Sequence, residues 1–345
     1  MLRWRGRPGW RHSPPVVLRL AWKPAMTNQI ARLLLIFLLA GWQGAWAEPA
    51  QPAVAEPGAA EAETLRQMQA APSRGLLFAI SKNGQAGYLF GTLHVGKADF
   101  YPLDLLTTQA MAQSGELVLE LDASQAAAMQ AGVQRYAMLP PPQTLDAMLS
   151  PELKQRLHAR LDVLGIPPAS MQTLKPWMVT LALTVGALKQ QGYGFEYATE
   201  FYFTGIAQAL GKPVTELEGV DYQFQLFDSL SLRDQLIYLE ESLGYLEQAG
   251  MRADTQALIG AWLGSDVAAL QQITVESYQH APRSAHWVKQ KLFSERNQRM
   301  AAKIEQMFGE GRTPFVAVGA LHLTGPDGLP ALLEKRGYRV TNLYP

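Results

Sequence analysis

Residues 76–81 are apolar almost throughout, and Gly87-Tyr-Leu-Phe-Gly-Thr-Leu93 forms a second apolar run after Asn83-Gly84. Asn-Gly suits a two-residue hairpin turn because both central positions take positive φ, so two antiparallel strands are predicted. A helix-period pattern covers 103–113, and Glu116-Leu-Val-Leu-Glu-Leu-Asp122 reads as a third strand. Apolar residues then recur every three or four positions over 123–138, 151–164, 175–191 and 197–210, which predicts helices. Residues 212–217 read as a short strand, and helices are predicted again over 222–230, 232–249, 254–263 and 285–308. The chain closes as strand 315–321, helix 329–336 and strand 338–344. The expected fold is a mixed α/β (α+β) domain over 75–345. Its central β-sheet is built from N- and C-terminal β-rich units, with a large helical insertion at about 123–310.

The first 47 residues stand apart from this pattern. Leu33-Leu-Leu-Ile-Phe-Leu-Leu-Ala40 follows Arg32 and precedes Ala45-Trp46-Ala47, a small-x-small pattern. The run is too short to span a bilayer, which needs roughly 20 apolar residues. Residues 1–47 therefore read as a secretory signal peptide cut after Ala47, with Met26 as an alternative start. A Pro/Ala/Glu tract follows, and 48–74 read as a disordered linker. The expected destination is the periplasm or the medium, without stable membrane insertion once the signal is cleaved.

Charge changes meaning once the leader is set aside. The leader holds seven of the 30 basic residues and none of the 30 acidic ones, leaving 23 against 30, a balance of −7. No basic patch stands out, so nucleic acid is not an expected partner. The chain has no cysteine, which excludes disulfides and thiolate chemistry.

Chemistry enters with a repeated phrase. Gly91-Thr-Leu-His94 closes one predicted strand, and Gly319-Ala-Leu-His322 closes another more than two hundred residues later. With 29 Gly and 6 His in the chain, chance yields about half of one such match, so a single occurrence carries little weight. Two occurrences at strand C-termini, where open sheets place ligand sites, point to one shared site. Glu120 interrupts an apolar strand, and Glu218 ends a short one before Gly219. Two histidines with one or two carboxylates suit Zn, Mn, Co or Fe(II). Arg296 and Asn297 lie on a long predicted helix, where Arg296 is placed to orient a carboxylate or stabilise an oxyanion. Glu196 and Glu200, four apart, read as surface residues, as do His158, His280 and His286.

These pieces together resemble the TraB/PrgY/GumN family, which includes the TIKI Wnt-cleaving membrane metalloproteases. The matching segments are Tyr88-Leu-Phe-Gly-Thr-Leu-His-Val-Gly96, 116–122, Gly211-Lys-Pro-Val-Thr-Glu-Leu-Glu218 with Gln223, Glu295-Arg-Asn-Gln-Arg-Met300, and 315–325 leading to Gly337-Tyr338. The resemblance implies a fold related to erythromycin-esterase-like and ChaN-like proteins. It also implies that His94, Glu120 and His322 carry the site, with Glu218 and Arg296 or Asn297 near it, and that the chemistry is peptidase activity dependent on Mn or Co. Related sequences often carry Gly-x-Asp before the central helix, where this chain has Gly194-Phe-Glu196.

The expected activity is that of an exported metal-dependent hydrolase acting on a peptide or small-molecule substrate. His94, His322 and Glu120 are its expected metal ligands, with Mn, Co or Zn as the ion. Glu120, Glu218, Arg296 and Asn297 are its expected catalytic residues. The alternative is a non-catalytic binding protein that sequesters a peptide or envelope component in the same cleft.

Overall fold

The computed structural model describes residues 57–248, 250–276 and 283–344. The expected leader at 1–47, residues 48–56 of the expected linker and His280 lie outside them. Within the stretch read as a disordered linker, Pro57–Ala70 is instead a helix (α1), and Met68 on it is buried. Among the described residues no helix is long and apolar enough to cross a membrane.

The fold grows from the predicted hairpin. Strands β1 (Leu76–Lys82) and β2 (Gln85–Thr92) pair antiparallel, with Lys82 opposite Gln85. Asn83 and Gly84 between them have φ of 52° and 82°, as a turn matched to strand twist requires. β2 runs parallel to β5 (Pro314–Gly319), β5 parallel to β3 (Glu116–Leu119), and β3 parallel to β4 (Val214–Glu216). β6 (Arg339–Asn342) pairs antiparallel with β1 on the other side. The six strands lie in the order β4-β3-β5-β2-β1-β6, so both β-rich ends of the chain share one sheet, as expected.

Hydropathy explains why β2, β3 and β5 are central. Leu89, Phe90, Leu117, Val118, Leu119, Phe315, Val316, Ala317 and Val318 are all fully buried, successive residues included. Such runs need cover on both faces, which is the rule for parallel strands flanked by helices. Cover comes in part from α2 (Leu105–Gln113), which contributes Met111, and from α6 (Thr199–Ala209), which contributes Phe203 and Ile206. Trp262 does so from α9 (Gly250–Leu263), and Met300 and Ile304 from α11 (Glu295–Gly309).

A second apolar core lies within the helical insertion. It joins α4 (Pro151–Leu164), α5 (Pro176–Gln190) and α8 (Leu232–Glu247) through Leu157, Leu161, Val179, Leu183, Leu239 and Leu243. Trp177 of α5 connects this region to Val220 and Phe224 of α7 (Val220–Asp228), the helix that follows β4. Helix α4 shows why its boundaries were readable. Ser150 caps its N-terminus by accepting from the Leu153 amide, Pro151 fits the first turn, and Gly165 at φ 69° ends it.

Other boundaries differ from expectation. α3 (Ala126–Gly132) gives way to a wide π-type turn at Val133–Ala137, so 123–138 is not one regular helix. α10 (Val267–Glu276) was not expected. The helix expected at 285–308 passes through a π-type turn at Val288–Ser294 before α11 begins. β3 stops at Leu119 and β5 at Gly319, short of the residues that carry chemistry. α12 (Leu329–Lys335) leads to β6.

Candidate active site

All four parallel strands point their C-terminal ends the same way, and each delivers one of the singled-out side chains just beyond its last residue. His94 follows β2, Glu120 follows β3, Glu218 follows β4 and His322 follows β5. The two Gly-x-x-His segments are therefore spatial neighbours, with Gly91 opposite Val318 and Thr92 opposite Gly319. The two glycines serve different ends. A Cβ on Gly91 would stand 3.0 Å from the Ala320 Cα, so this glycine lets β2 approach the 3-10 turn Ala320–Leu323 that carries His322.

Gly319 faces the site itself. A Cβ placed there would lie 3.4 Å from Glu120 Oε1, 3.4 Å from His94 Nε2 and 3.6 Å from His322 Cδ2. Both imidazoles and one carboxylate thus surround a single point. His322 Nε2 lies 3.8 Å from Glu120 Oε1, and the Gly319 amide donates to that oxygen at 2.6 Å.

The other side of Glu120 is held by Arg296. Arg296 Nη2 donates to Glu120 Oε2 at 2.5 Å and to Glu218 Oε2 at 2.6 Å, while its Nε lies 3.0 Å from both Glu218 oxygens. Gln223 Nε2 from α7 donates to the same two carboxylates, at 3.2 Å and 3.0 Å. Glu218 is the deepest member, its side chain only 1% exposed. Arg296 reaches this position from the first turn of α11, directly after the wide turn at Val288–Ser294.

The two histidines are held differently. Asn297 Nδ2 donates to the Asp327 carbonyl at 2.7 Å, which turns Asn297 Oδ1 toward His322 Nδ1 at 2.5 Å. His322 Nδ1 therefore carries the proton, and Nε2 is left as a lone pair. His94 Nδ1 meets a carboxylate instead, Glu200 Oε1 at 2.8 Å. His322 is buried, whereas the side chain of His94 is 62% exposed. Phe293 packs on the His322 ring at 5.3 Å between centroids.

These settings separate the protonation behaviour of the groups. Burial alone would raise the Glu120 carboxyl, but the Arg296 guanidinium, assisted by both imidazoles and the Gly319 N–H, holds it well below the usual carboxylate range. Burial lowers His322 to about 3, with Arg296 and His94 adding to the effect against Glu120. Although one edge of the His94 ring reaches solvent, the protein packed around it opposes its charged form, yet the Glu200 carboxylate outweighs this and raises the imidazole to about 9. Burial likewise opposes the charge on Arg296, but Glu120 and Glu218 outweigh it and hold this group more firmly protonated than usual.

Glu200 is the residue that sequence reasoning placed on the surface. It sits in the first turn of α6 with its side chain 14% exposed and bonds to both Thr92 and His94. The signal available was its position four residues after Glu196, on a helix whose buried side is marked by Tyr202, Phe203 and Ile206. His158 also differs from expectation, since it is half-buried and bonds Asp146 at 2.9 Å. His286 is exposed, as expected.

Among the described residues, no three His, Asp or Glu side chains close into a metal-binding group. The donor types around Gly319 nevertheless suit a divalent ion: a bare His322 Nε2, the His94 Nε2 that approaches Gly319 and becomes a donor once its proton is displaced, and an ionised Glu120. A family model described as the TraB/PrgY/gumN family matches residues 76–342. The chain belongs to the TraB/PrgY/gumN family. Among TraB/PrgY/gumN relatives, the uncharacterized protein YbaP of Escherichia coli (strain K12) is 28% identical over 248 residues, covering 72% of this chain and 87% of YbaP. YbaP of Shigella flexneri matches to the same extent. Metalloprotease TIKI1 of Danio rerio is 23% identical over 310 residues, covering 75% of this chain and 61% of that protein. No solved structure matches the chain.

Proposed function

We propose that this protein is a metal-dependent hydrolase that cleaves peptide bonds in the cleft at the C-terminal ends of β2, β3, β4 and β5. The observation that carries the reading is the meeting of His94, His322 and Glu120 around Gly319. Membership of a family that includes a metalloprotease supports it. The leader supports export as the setting.

His94 Nε2, His322 Nε2 and Glu120 Oε1 would hold the ion, which when bound supplies Lewis acidity. Glu120 suits a ligand's role because Arg296 keeps it ionised. Its Oε1 faces the cleft while Oε2 is anchored, so the anchored carboxylate presents one oxygen to the ion or to the proton of an attacking water. Glu218 is enclosed with both oxygens on Arg296, and its part is to hold that guanidinium in place. Arg296 uses Nε and Nη2 on the carboxylates. Its Nη1 keeps a 3.4 Å bond to the Leu292 carbonyl and is the donor left for charge developing on a substrate carbonyl. Asn297 fixes the His322 ring.

The test is a peptide library presented to the purified protein with and without chelator, beside His94→Ala. Cleavage that the chelator stops and Mn or Co restores supports the reading. Binding without cleavage, changed only in affinity by His94→Ala, would replace the hydrolase with a sequestering protein.

A further inference from the structure

Glu200 has a setting that helix stability does not explain. An acidic residue in the first turn of a helix ordinarily faces solvent, where it complements the helix dipole. Glu200 turns inward instead. Its Oε1 accepts from the Thr92 hydroxyl at 2.5 Å and meets His94 Nδ1 at 2.8 Å. Its Oε2 is buried and has no hydrogen-bond partner among the described residues.

The backbone is arranged to keep this contact. On one side of His94, the Leu93 amide donates to Thr199 Oγ1 at 3.1 Å and the Thr199 amide donates to the Leu93 carbonyl at 2.9 Å. On the other side, Gly96 and Gly194 exchange both amide bonds at 3.0 Å and 2.9 Å. A Cβ on Gly96 would stand 2.5 Å from the Tyr197 carbonyl oxygen, so only glycine admits this approach. The segment bearing His94 is thus fastened, before and after the histidine, to the segment bearing Glu200.

We propose that Glu200 is a positioning residue: it holds the neutral His94 ring in the Nδ1-protonated form and directs a bare Nε2 into the cleft. This deepens, and depends for its use on, the reading of the cleft as a metal-assisted hydrolytic site. The two histidines are then unequal donors. His322 is backed by a neutral amide and His94 by an anion, and an anionic partner makes the bare nitrogen a stronger donor to a cation. The Thr92 hydroxyl fixes the carboxylate and therefore the ring.

The test uses the full chain with Glu200→Gln and Thr92→Val. Nitrogen NMR of labelled histidine, at about pH 10 so that both imidazoles are neutral, reads which ring nitrogen of His94 carries the proton. A titration with Co2+ alone reads affinity. The wild type is expected to show Nδ1–H on His94. Glu200→Gln is expected to lose that preference and, in Co2+ titrations run as a pH series and corrected for the proton that the wild-type His94 gives up, to bind about 10–100-fold more weakly. Thr92→Val is expected to shift both readouts the same way by less. Should Glu200→Gln not fold, Thr92→Val decides. An unaltered His94 tautomer and unaltered Co2+ affinity in the variants would overturn the proposal. A wild type that binds no Co2+ would defeat the hydrolase reading alone, since the tautomer measurement on the apo protein still decides the role of Glu200.

Discussion

Arg296 Nη2 lies 2.5 Å from Glu120 Oε2, and both side chains are almost wholly withdrawn from water. The same guanidinium binds Glu218, so one cation holds two buried anions together beneath the cleft. Removing one partner of a buried ion pair leaves uncompensated charge, which costs about 3–5 kcal/mol. Arg296→Met is expected to destabilise the protein by about that amount at pH 7, measured by urea unfolding. The sign with pH follows from Glu120. Its folded pKa is depressed, so the wild type holds this stabilisation above the ordinary carboxylate range and loses it as acid protonates the group. The gap between variant and wild type should therefore narrow toward acid pH. Adding Glu120→Gln to Arg296→Met should recover part of the loss at pH 7.

Gly319 separates folding from function. Its φ of −48° is open to any residue, and a methyl group would meet its neighbours at ordinary contact distances of 3.4 to 3.6 Å. Gly319→Ala should fold with stability within about 1 kcal/mol of wild type. The methyl would nonetheless occupy the point shared by His94, His322 and Glu120, so divalent-ion binding should fall at least tenfold. Paired calorimetric melting and metal titration check this, and retained binding would show that the shared point is not the binding position.

Asp146 gives a test remote from the cleft. Burial would raise its carboxyl, but bonds from Lys154, Gln172 and His158 lower it from 3.8 to about 2. A depressed carboxyl contributes stability above its unfolded pKa and loses it as pH falls through the folded one. Asp146→Asn should cost about 1–2 kcal/mol at pH 7, the partial exposure of the site reducing the full linkage value. That difference should fade between pH 3.8 and about 2. Unfolding curves across this window measure it, and a constant difference would place the effect elsewhere.

Much of this architecture was legible because it depends on local chemistry. Asn83-Gly84 fixed the hairpin, Ser150 and Gly165 bounded α4, and the apolar runs at 87–93 and 314–318 marked strands buried on both faces. The positions of His94 and His322 could be read from their place after two such runs. Glu200 was not legible, because a glutamate in a first helical turn looks the same whether it meets water or an imidazole 106 residues away. The dual grip of Arg296 on Glu120 and Glu218 was likewise hidden, since it depends on how a late helix crosses two early strand ends. Pro57–Ala70 was not legible as a helix because its sequence carries few apolar residues, although Met68 on it is buried.

His94 and His322 come from distant parts of the chain and meet only because β2 and β5 are paired. Metal content therefore tests the account most directly. The freshly purified protein and its His94→Ala/His322→Ala variant should be dialysed against Mn2+ or Co2+ and measured by elemental analysis, with circular dichroism confirming that both are folded. The expected result is about one equivalent of metal in the wild type and none in the variant. Equal metal content in the two, or none in the wild type, would contradict it.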